Sequence, residues 1–426
     1  MRCRTISVGL TCLILAVLVT GAWAAPKYKV LYTFTGGSDG GVPYARLLFD
    51  KRGNLYGMTH FGGQAGCYAG LGCGTIFELM PASGGGWTES VLYAFAGGAG
   101  GDNPIYGGLI SDASGNLYGT TYFGGIFGGV CNPYGCGTAF ELAQSSQGWT
   151  KSLQYSFTGT SGQQPTSALA FDNAGHLYGT TLLGGQYTLG TMFELVKTGS
   201  GTWNEATLHQ FTGGNDGSSP AAGLIADAAG NFYGTTSTGG STNGGTVFEL
   251  TSNRREVKVL HSFKCGLNKC DFKDGGNPWS GLVFDQHGSL YGATRYGGVH
   301  RKGAIYRLMP SKGGGWKESL LYSFKSGTGD GAEPLSLLAF DKFGNLYGTT
   351  SRGGTNDEGV VFELMPSAGG RWKEAILYRF TGGSDGAKPQ AGFVIDATGN
   401  LYGTAALGGQ KGCGDAGCGV VFEITP

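Results

Sequence analysis

A phrase of three residues, Leu-Tyr-Gly, recurs along the chain and constrains its fold more than any other feature. Phe replaces Leu in one copy, and the tyrosines of the copies are Tyr56, Tyr118, Tyr178, Tyr233, Tyr291, Tyr347 and Tyr402. The steps between them are 62, 60, 55, 58, 56 and 55 residues, with no linker between copies. Such a period indicates one supersecondary unit repeated seven times, since a unit of this size must stack on its neighbours to bury its apolar face.

Each copy contains four short hydrophobic runs separated by turn residues. A proline opens the first run and an aspartate closes it, followed by a tight turn such as Asp341 to Asn345. The second run is Asn-Leu-Tyr-Gly-Thr-Thr, and a Gly-Gly pair follows it. The third is Gly-Thr-Val-Phe-Glu-Leu, and the fourth alternates as in Trp316 to Phe324. Period-two patterning between Gly, Pro and Asp turns predicts strands. Seven units of four antiparallel strands predict an all-β fold, a seven-bladed β-propeller.

The two ends of the chain predict how the ring closes. The last copy stops after its third strand, Val420 to Ile424, and an orphan fourth strand, Tyr28 to Phe34, precedes the first copy. We therefore expect the N-terminal strand to pair into the last blade. Residues 25–426 then form one propeller domain.

The first 24 residues predict export. Arg2 and Arg4 precede an apolar stretch, and Ala22-Trp23-Ala24 offers small residues where a signal peptidase cleaves, so we expect residues 1–24 to be a signal peptide. An uncleaved membrane anchor is the alternative, but the stretch is short for one. No second apolar run of about 20 residues exists that could span a membrane. The prediction is a secreted or periplasmic protein.

Composition excludes two classes of partner. Lys+Arg and Asp+Glu balance at 29 each, and only 14% of residues are charged. A weakly charged, neutral chain offers no electrostatic footprint for nucleic acid or an anionic membrane. Gly is abundant, with 85 residues, but 12% aromatic residues are too many for a disordered chain.

The mature chain holds eight cysteines in four close pairs. They are Cys67 and Cys73, Cys131 and Cys136, Cys265 and Cys270, and Cys413 and Cys418. Locally paired cysteines in an exported chain predict four disulfides. Metal binding is the alternative, but zinc sites combine such pairs with further Cys or His at regular spacing, which this sequence lacks.

The repeat unit Pro-x-x-Gly-Leu-x-x-Asp-x-x-Gly-Asn-Leu-Tyr-Gly-Thr-Thr-x-x-Gly-Gly, followed by Gly-Thr-Val-Phe-Glu-Leu, resembles the Gloeo_Verruco (GloVer) repeat of exported bacterial proteins. It is also similar to NHL-type propeller repeats. The resemblance implies the propeller fold and export, but no catalytic residues. By analogy with NHL-type blades, the strand after each proline is expected to be innermost. The second-to-third loops and the blade-to-blade loops would then share one face, the top face.

One side of this top face is expected to carry the binding site. The loop between Gly-Gly and the third strand has four residues in the third to sixth copies. It has 10 in the first copy (Gln64 to Cys73), 11 in the second (Ile126 to Cys136) and 9 in the last (Gln410 to Cys418). These three blades are neighbours once the ring closes, and long loops pinned on a rigid scaffold often carry function.

Aromatic residues accumulate in the same region and on the fifth blade. The candidate ligand-binding residues are Tyr44, Phe61, Tyr68, Tyr106, Tyr122, Phe123, Phe127, Tyr134, Trp279 and Tyr296. Such rings suit stacking on sugars or an apolar partner surface, although several could simply pack between loops. A patch of enlarged loops including Tyr68, Phe127 and Tyr134 is the predicted contact surface, and the channel mouth is the alternative.

The sequence contains no recognisable catalytic constellation. The positions after each proline that we expect to face the channel are small: Ala45, Gly107, Ser167, Ala222, Ser280, Ser336 and Ala391. Five aspartates recur in Asp-Gly-x-x-Pro and could form a cation site near the channel mouth, although turn formation explains them as well. They are Asp39, Asp216, Asp274, Asp330 and Asp385.

The interpretation that follows is a non-catalytic extracellular binding or scaffold propeller, recognising glycan or protein. The alternatives are a carbohydrate-active enzyme, either a glycoside hydrolase or a lyase, using acids of the top-face loops, and a structural cell-envelope protein. We expect no cofactor, no nucleic acid and a monomeric chain.

Overall fold

The computed structural model describes residues 25–67, 70–199, 202–253, 256–264 and 273–426. The predicted signal peptide, Tyr68, Cys265 and Cys270 lie outside these ranges. Apart from three single 3-10 turns, at Gly98–Gly100, Gly129–Cys131 and Ala368–Gly370, the described residues form strands and loops. None of their helical turns is long and apolar enough to cross a membrane.

Seven four-stranded antiparallel sheets are arranged as the sequence predicts. From innermost to outermost, blade 1 has strands Leu48–Phe49, Leu55–Thr59, Thr75–Pro81 and Trp87–Ala94; blade 2 has Ile110–Ser111, Leu117–Thr121, Thr138–Ser145 and Gly148–Ser156; blade 3 has Ala170–Phe171, Leu177–Thr181, Thr191–Lys197 and Trp203–Gln210; blade 4 has Ile225–Ala226, Phe232–Thr236, Thr246–Leu250 and Val257–Ser262. Blade 5 has Val283–Phe284, Leu290–Thr294, Ala304–Pro310 and Trp316–Ser323; blade 6 has Ala339–Phe340, Leu346–Thr350, Val360–Ser367 and Arg371–Arg379; blade 7 has Val394–Ile395, Leu401–Ala405, Val420–Thr425 and Lys27–Thr33. Two further ladders join Gly275–Gly276 to Tyr296–Gly297 and Gly331–Ala332 to Arg352–Gly353.

The ring closes as predicted. Lys27–Thr33 pairs antiparallel with Val420–Thr425 as the fourth strand of blade 7. Tyr28 stacks on Tyr378 with ring centroids 3.8 Å apart, and its hydroxyl donates to the carbonyl of Asp385. The N-terminal strand therefore pairs with blade 7 through its backbone and contacts blade 6 through the side chain of Tyr28.

The repeated phrase has a packing reason in each blade. Leu55 is fully buried, and a Cβ on Gly57 would lie 2.4 Å from Phe77 of the third strand, so only glycine fits there. The hydroxyl of Tyr56 donates to Glu78 at 2.7 Å. The Tyr-to-Glu pair recurs at Tyr118 with Glu141 and at Tyr347 with Glu363. Residues of Leu-Tyr-Gly therefore pack against residues of Phe-Glu-Leu and form hydrogen bonds with them.

The first strands are shorter than predicted. Most residues of each first run do not pair in a β-ladder, and in several blades side-chain hydrogen bonds, within the blade and to the next blade, hold the run instead. The Oγ of Ser167 accepts from the Thr180 amide at 3.0 Å and donates to the Thr180 carbonyl at 3.2 Å, so a side chain takes the place of the backbone partner. Between neighbouring blades, Thr235 Oγ1 donates to the carbonyl of Ser280 at 3.1 Å. These bonds hold the inner strands around a central channel.

Candidate functional site

The crossover segments and the second-to-third loops lie on one face, as predicted. Gly41 pairs with Phe61 and Asp102 pairs with Phe123, so the residues before each proline are tied to the residues after the second strand of the same blade. The top face therefore consists of these two kinds of loop. The opposite, bottom face carries the Asp-x-x-Gly turns.

Three of the four predicted disulfides form, and the fourth lies outside the described residues. The bonds are Cys67–Cys73, Cys131–Cys136 and Cys413–Cys418. Each packs against a crossover glycine: a Cβ on Gly36 would lie 2.6 Å from Cys413 Sγ, and one on Gly97 would lie 2.9 Å from Cys67 Sγ. The disulfides thus fix the enlarged loops onto the crossovers between blades, and they are compatible with an oxidising compartment.

The channel wall agrees with the prediction in part: of the predicted residues, Ala222, Ser280 and Ala391 line the cavity. Ser167, Ser280 and Ser336 turn into their blades, where their hydroxyls bond the second strand. The residue after each predicted position lines the cavity in all seven blades: Arg46, Gly108, Ala168, Gly223, Gly281, Leu337 and Gly392. Five of the seven are glycine or alanine, so the wall leaves space for a central cavity.

This cavity has a volume of about 880 Å³, and its lining extends from Tyr44 and Trp279 beside the top loops to Leu48 and Ile110 on the first strands. Its size falls within the range of small-molecule sites. Three aromatic side chains lie at its mouth: Tyr44 of blade 1, Tyr106 of blade 2 and Trp279 of blade 5. Tyr44 and Tyr106 have ring centroids 5.2 Å apart, and Tyr106 and Trp279 meet edge to face at 6.3 Å. Since blades 2 and 5 are not neighbours, the second contact crosses the channel.

Tyr106 reaches the mouth through a one-residue insertion. Blade 2 has eight steps from Pro104 to Asp112, where the other blades have seven. Tyr106 has φ 59°, and the Gly107 amide donates to the Ile105 carbonyl at 2.6 Å, which makes a γ-turn centred on Tyr106. Positive φ at a bulky residue is strained and tends to persist where function requires it.

The insertion differs from a second set of positive-φ residues. The residue before each blade's proline also has positive φ: Val42, Asn103, Gln164, Ser219, Asn277, Glu333 and Lys388. That conformation belongs to the repeat, because every blade has it. The strain at Tyr106 belongs to one blade only. In the sequence, this strained turn is indicated by the extra residue between Pro104 and Asp112.

Further rings extend the mouth outward over blades 1 and 2. His60 stacks on Phe61 at 3.9 Å and lies 5.8 Å from Tyr44. Burial lowers the pKa of His60 to about 4, so its imidazole is neutral at pH 7. On blade 2, Phe123 contacts both Tyr122 and Tyr134, at 4.5 and 5.1 Å. The aromatic surface thus runs from the channel to the enlarged loop of blade 2.

Phe127, Tyr134 and Tyr296 complete the described candidates. Phe127 and Tyr134 are 46% and 59% exposed on the enlarged loop of blade 2, beside the channel and not within it. Tyr296 lies against the guanidinium of Arg295, 5.0 Å from its ring centroid. Of the predicted aromatic residues that the structure describes, Tyr44, Tyr106 and Trp279 line the cavity itself.

A group of charged residues at the mouth was not anticipated. Arg295, Arg352, Lys388 and Glu333 line the cavity on the side of blades 5 to 7. Arg295 donates to Glu333 from Nε and Nη2 at 3.0 and 2.8 Å, and Arg352 Nη1 lies 3.8 Å from the same carboxylate. Lys388 lies 3.3 Å from Glu358. These residues come from different blades, so no local motif reveals them.

Arg46 is a fourth cation, deeper in the channel. It stands two residues after Tyr44 on the first run of blade 1, at a position that is Gly or Ala in five other blades. Its Nε donates to the carbonyl of Phe393 at 3.2 Å. The channel admits solvent to the side chain but surrounds it with protein, and this burial lowers the pKa of Arg46.

The five Asp-Gly aspartates are engaged in holding the crossovers. Asp39 accepts from the Thr35 amide at 2.8 Å and from the Tyr32 hydroxyl at 3.1 Å. Asp330 accepts from Tyr322 and from the Lys325 amide in the same manner. Equivalent bonds occur at Asp216, Asp274 and Asp385. The bonds favour the turn role over the cation site.

Within the described ranges, one group of three potential metal ligands comes together elsewhere. Asp172, His176 and Glu194 place their ligand atoms within 4.8 Å of one another at the bottom of blade 3. His176 replaces the turn asparagine there, and its Nδ1 lies 3.2 Å from Asp172 and 3.4 Å from Glu194. His176 thus stands between Asp172 and Glu194 as Asn54 stands between Asp50 and Glu78 in blade 1.

Comparison with known sequences identifies the repeat. The Gloeobacter/Verrucomicrobia repeat matches residues 128–339 and 314–426, which together span more than half of the chain. The chain belongs to the Gloeobacter/Verrucomicrobia repeat family. Comparison with curated proteins gave no match.

Solved structures similar to this Gloeobacter/Verrucomicrobia repeat protein are distant in sequence. A candidate 6-phosphogluconolactonase from Bacteroides uniformis has a TM-score of 0.51 and 16% identity, and the match covers 83% of this chain and 89% of that chain. A protein of unknown function from Dyadobacter fermentans has a TM-score of 0.46 and 11% identity, covering 83% and 98%. A gluconolactonase from Xanthomonas campestris has a TM-score of 0.38 and 14% identity, covering 67% and 81%. At these identities the likeness concerns the fold alone.

Proposed function

We propose that this repeat protein is an exported, non-catalytic binding propeller that holds a carbohydrate at the channel mouth. The observation that carries the proposal is the cavity of about 880 Å³ whose mouth is formed by Tyr44, Tyr106 and Trp279. Aromatic faces combine a large apolar area with rigid geometry, which suits the C–H faces of sugar rings. The cavity has room for a ligand of one or two sugar rings.

The strained turn at Tyr106 supports binding over a purely structural role. A γ-turn with positive φ costs stability that a scaffold would gain nothing by keeping. The turn holds a ring that is 41% exposed at the mouth, in contact with two other aromatics. A site for a ligand gives this arrangement a purpose.

The charges of the cavity support binding over hydrolysis. Glycoside hydrolysis generally requires two carboxyl groups on opposite sides of the scissile bond. Among the described residues, Glu333 is the one acid lining the cavity, and it is committed to Arg295 and Arg352. The enlarged loops, with Phe127 and Tyr134, would then extend the site for a longer glycan.

Removing the aromatic mouth should abolish glycan binding. Residues 25–426 would be screened on a glycan array, and the affinity of the best ligand measured by calorimetry. We expect the double variant Tyr106→Ala/Trp279→Ala to bind at least roughly 30-fold more weakly, since each buried ring contributes on the order of 1–3 kcal/mol. Phe343→Ala is the matched control, because Phe343 is 75% exposed on the bottom face.

Circular dichroism would confirm that all variants keep the fold. Trp279→Phe should retain most of the affinity, because it keeps an aromatic face in the mouth. The proposal is wrong if no glycan binds the intact protein. It is also wrong if the folded double variant binds as tightly as the Phe343→Ala control.

A further inference from the structure

We infer that the sugar recognised at the mouth carries a carboxylate, so that the ligand is a uronic-acid oligosaccharide with its carboxylate held by Arg46. This inference rests on the proposed function, because it names the class of sugar that the same cavity takes. Its basis is the set of charged groups in the channel and the space around them.

Arg46 is a cation without an acidic partner in the part of the chain that the structure describes. Its Nε is used by the Phe393 carbonyl, and no described Asp or Glu forms an ion pair with its guanidinium. A guanidinium has five N–H donors in a planar fork that matches the two oxygens of a carboxylate. Arg46 is exposed to the solvent of the channel, so its remaining N–H donors are accessible to an anionic ligand.

The other residues that line the cavity also carry more positive than negative charge. Its described lining contains Arg46, Arg295, Arg352 and Lys388 against the single acid Glu333. Asp357 and Glu358 partly compensate Arg352 and Lys388, but they stand outside the lining. The lining therefore has an excess of positive groups in a chain whose overall formal charge is +0. Such focusing in a narrow channel raises the local concentration of anions.

The shape of the channel leaves room for a carboxylate beside Arg46. The equivalent positions of the other blades are Gly108, Ala168, Gly223, Gly281, Leu337 and Gly392. Arg46 is thus the one charged side chain on this ring of the wall. Tyr44, on the same run of blade 1, puts an aromatic face at the mouth above it.

The aromatic rings of the mouth, together with the guanidinium of Arg46, favour a sugar acid over a neutral sugar. A neutral sugar stacked on the mouth would offer no anion to the guanidinium of Arg46. Sites built around a charged or hydrogen-bonding partner reject ligands that lack it, because their own polar groups are then left unpaired. A uronate places its carboxylate on the ring carbon that bears the exocyclic group, within one sugar unit of the stacked face.

The test compares two size-matched tetrasaccharides. Tetragalacturonate carries a carboxylate on each ring, and the α-1,4-linked galactose tetramer carries CH₂OH at the same position. We expect the intact protein to bind tetragalacturonate at least tenfold more tightly. Arg46→Gln should weaken tetragalacturonate binding by roughly 10- to 100-fold, the range for a charge-assisted hydrogen-bonding pair, and leave the neutral tetramer unaffected.

Two further variants control the experiment. Arg46→Lys keeps the charge but loses the fork, so its affinity should lie between those of the intact protein and Arg46→Gln. Arg52→Gln removes an exposed cation from the bottom turn of the same blade and should change nothing. Thermal unfolding would verify that each variant is folded.

Each adverse outcome identifies which idea fails. If the neutral tetramer binds as tightly as tetragalacturonate, and Tyr106→Ala/Trp279→Ala abolishes both, the carboxylate inference is overturned and the proposed function stands. If Arg46→Gln retains the preference for tetragalacturonate, the assignment of Arg46 is wrong. Tighter, Arg46-dependent binding of a sulfated galactose tetramer would overturn the choice of carboxylate. If no glycan of any class binds, both proposals fall.

Discussion

The bottom face and the channel mouth are built from the same seven repeats, yet they differ in regularity. At the bottom, the turn aspartate of each blade binds its own turn in the same way; Asp341, for example, accepts from the amides of Phe343 and Asn345 and from Tyr347. At the mouth, four blades contribute side chains that do not follow the repeat: Tyr44 from blade 1, Tyr106 from blade 2, Trp279 from blade 5 and Arg352 from blade 6. Repetition marks what every blade needs for stability, and departure from it marks the site that we propose for binding.

The carboxyl groups of the bottom turns and those of the outer strands have pKa values shifted in opposite directions. We expect the resulting dependence of stability on pH to be the largest effect. Burial would raise the pKa of Asp227 in a bottom turn, but hydrogen bonds from Asn231 and Tyr233 outweigh it and lower that pKa. Three outer-strand glutamates behave oppositely: burial, together with the charge of a crossover aspartate, raises their pKa to about 7. They are Glu89, Glu318 and Glu374. One oxygen of each is buried with no hydrogen-bond partner among the described residues.

The sign of the pH effect follows from these directions. Below pH ~7 the folded state keeps these glutamates mostly protonated, so their contribution to stability is complete below pH ~4.5 and is lost as the pH rises through about 7. The bottom aspartates contribute above pH ~3.9, and this is lost as the pH falls through their lowered folded pKa. We expect the melting temperature to be highest near pH ~5 and to fall by several degrees toward pH ~8.

A triple variant tests the origin of this slope. Glu89→Gln/Glu318→Gln/Glu374→Gln should flatten the alkaline side of the profile, because glutamine does not titrate. Glu256→Gln, an exposed glutamate, is the control and should leave the slope unchanged. An unaltered slope in the triple variant would contradict the assignment. Scanning calorimetry at intervals of pH supplies the measurement.

A bottom-turn variant should give the next largest effect, on stability alone. Asp341→Ala removes the acceptor of two amides, of the Asn345 side chain and of the Tyr347 hydroxyl. We expect a loss of roughly 2 kcal/mol in the free energy of unfolding, as for lost caps and buried hydrogen bonds. Denaturant unfolding and glycan affinity would be measured on the same sample. Weakened binding with unchanged stability would break the distinction between the two faces.

We expect the smallest effect on stability from substitutions of Tyr106, whose backbone is strained. Tyr106→Gly should stabilise the fold by about 1 kcal/mol, because glycine adopts positive φ without cost, while binding is lost with the ring. Tyr106→Ala is the matched control, since it removes the ring and keeps the strained backbone. Both variants should lose affinity, and only glycine should raise the melting temperature. Equal melting temperatures would show that the turn at Tyr106 stores no strain.

Prediction from sequence succeeded for the features that repeat. Local patterns of alternation and spacing, which the sequence displays directly, determine the blade count and the closing strand. They also determine the disulfides formed by Cys73, Cys136 and Cys418. The disulfide between Cys265 and Cys270 stays a prediction, as do the signal peptide and the monomeric state.

The channel wall was predicted only in part, because the residue after each predicted position also lines the cavity. Ser280 turns into its blade because its hydroxyl replaces a backbone partner at Ala293, an exchange that period-two alternation does not encode. The charged group was missed for a different reason: Arg295, Glu333 and Lys388 lie on three blades and meet only in the closed ring. The extra residue at Tyr106 was visible in the sequence, but its meaning depends on where the first strand faces.

The closing strand also has a consequence for the order of folding. Neighbouring blades can assemble through contacts between nearby residues, whereas Tyr28 and Asp385, which bond across the closure, are 357 residues apart. Bringing such distant segments together costs roughly 5 kcal/mol of chain entropy in an otherwise unfolded chain, and much less once intervening blades have stacked. Blade 7 is therefore the natural last step, and until then the edge of Val420–Thr425 has no partner strand. In this protein the most aggregation-prone moment comes just before the ring is complete.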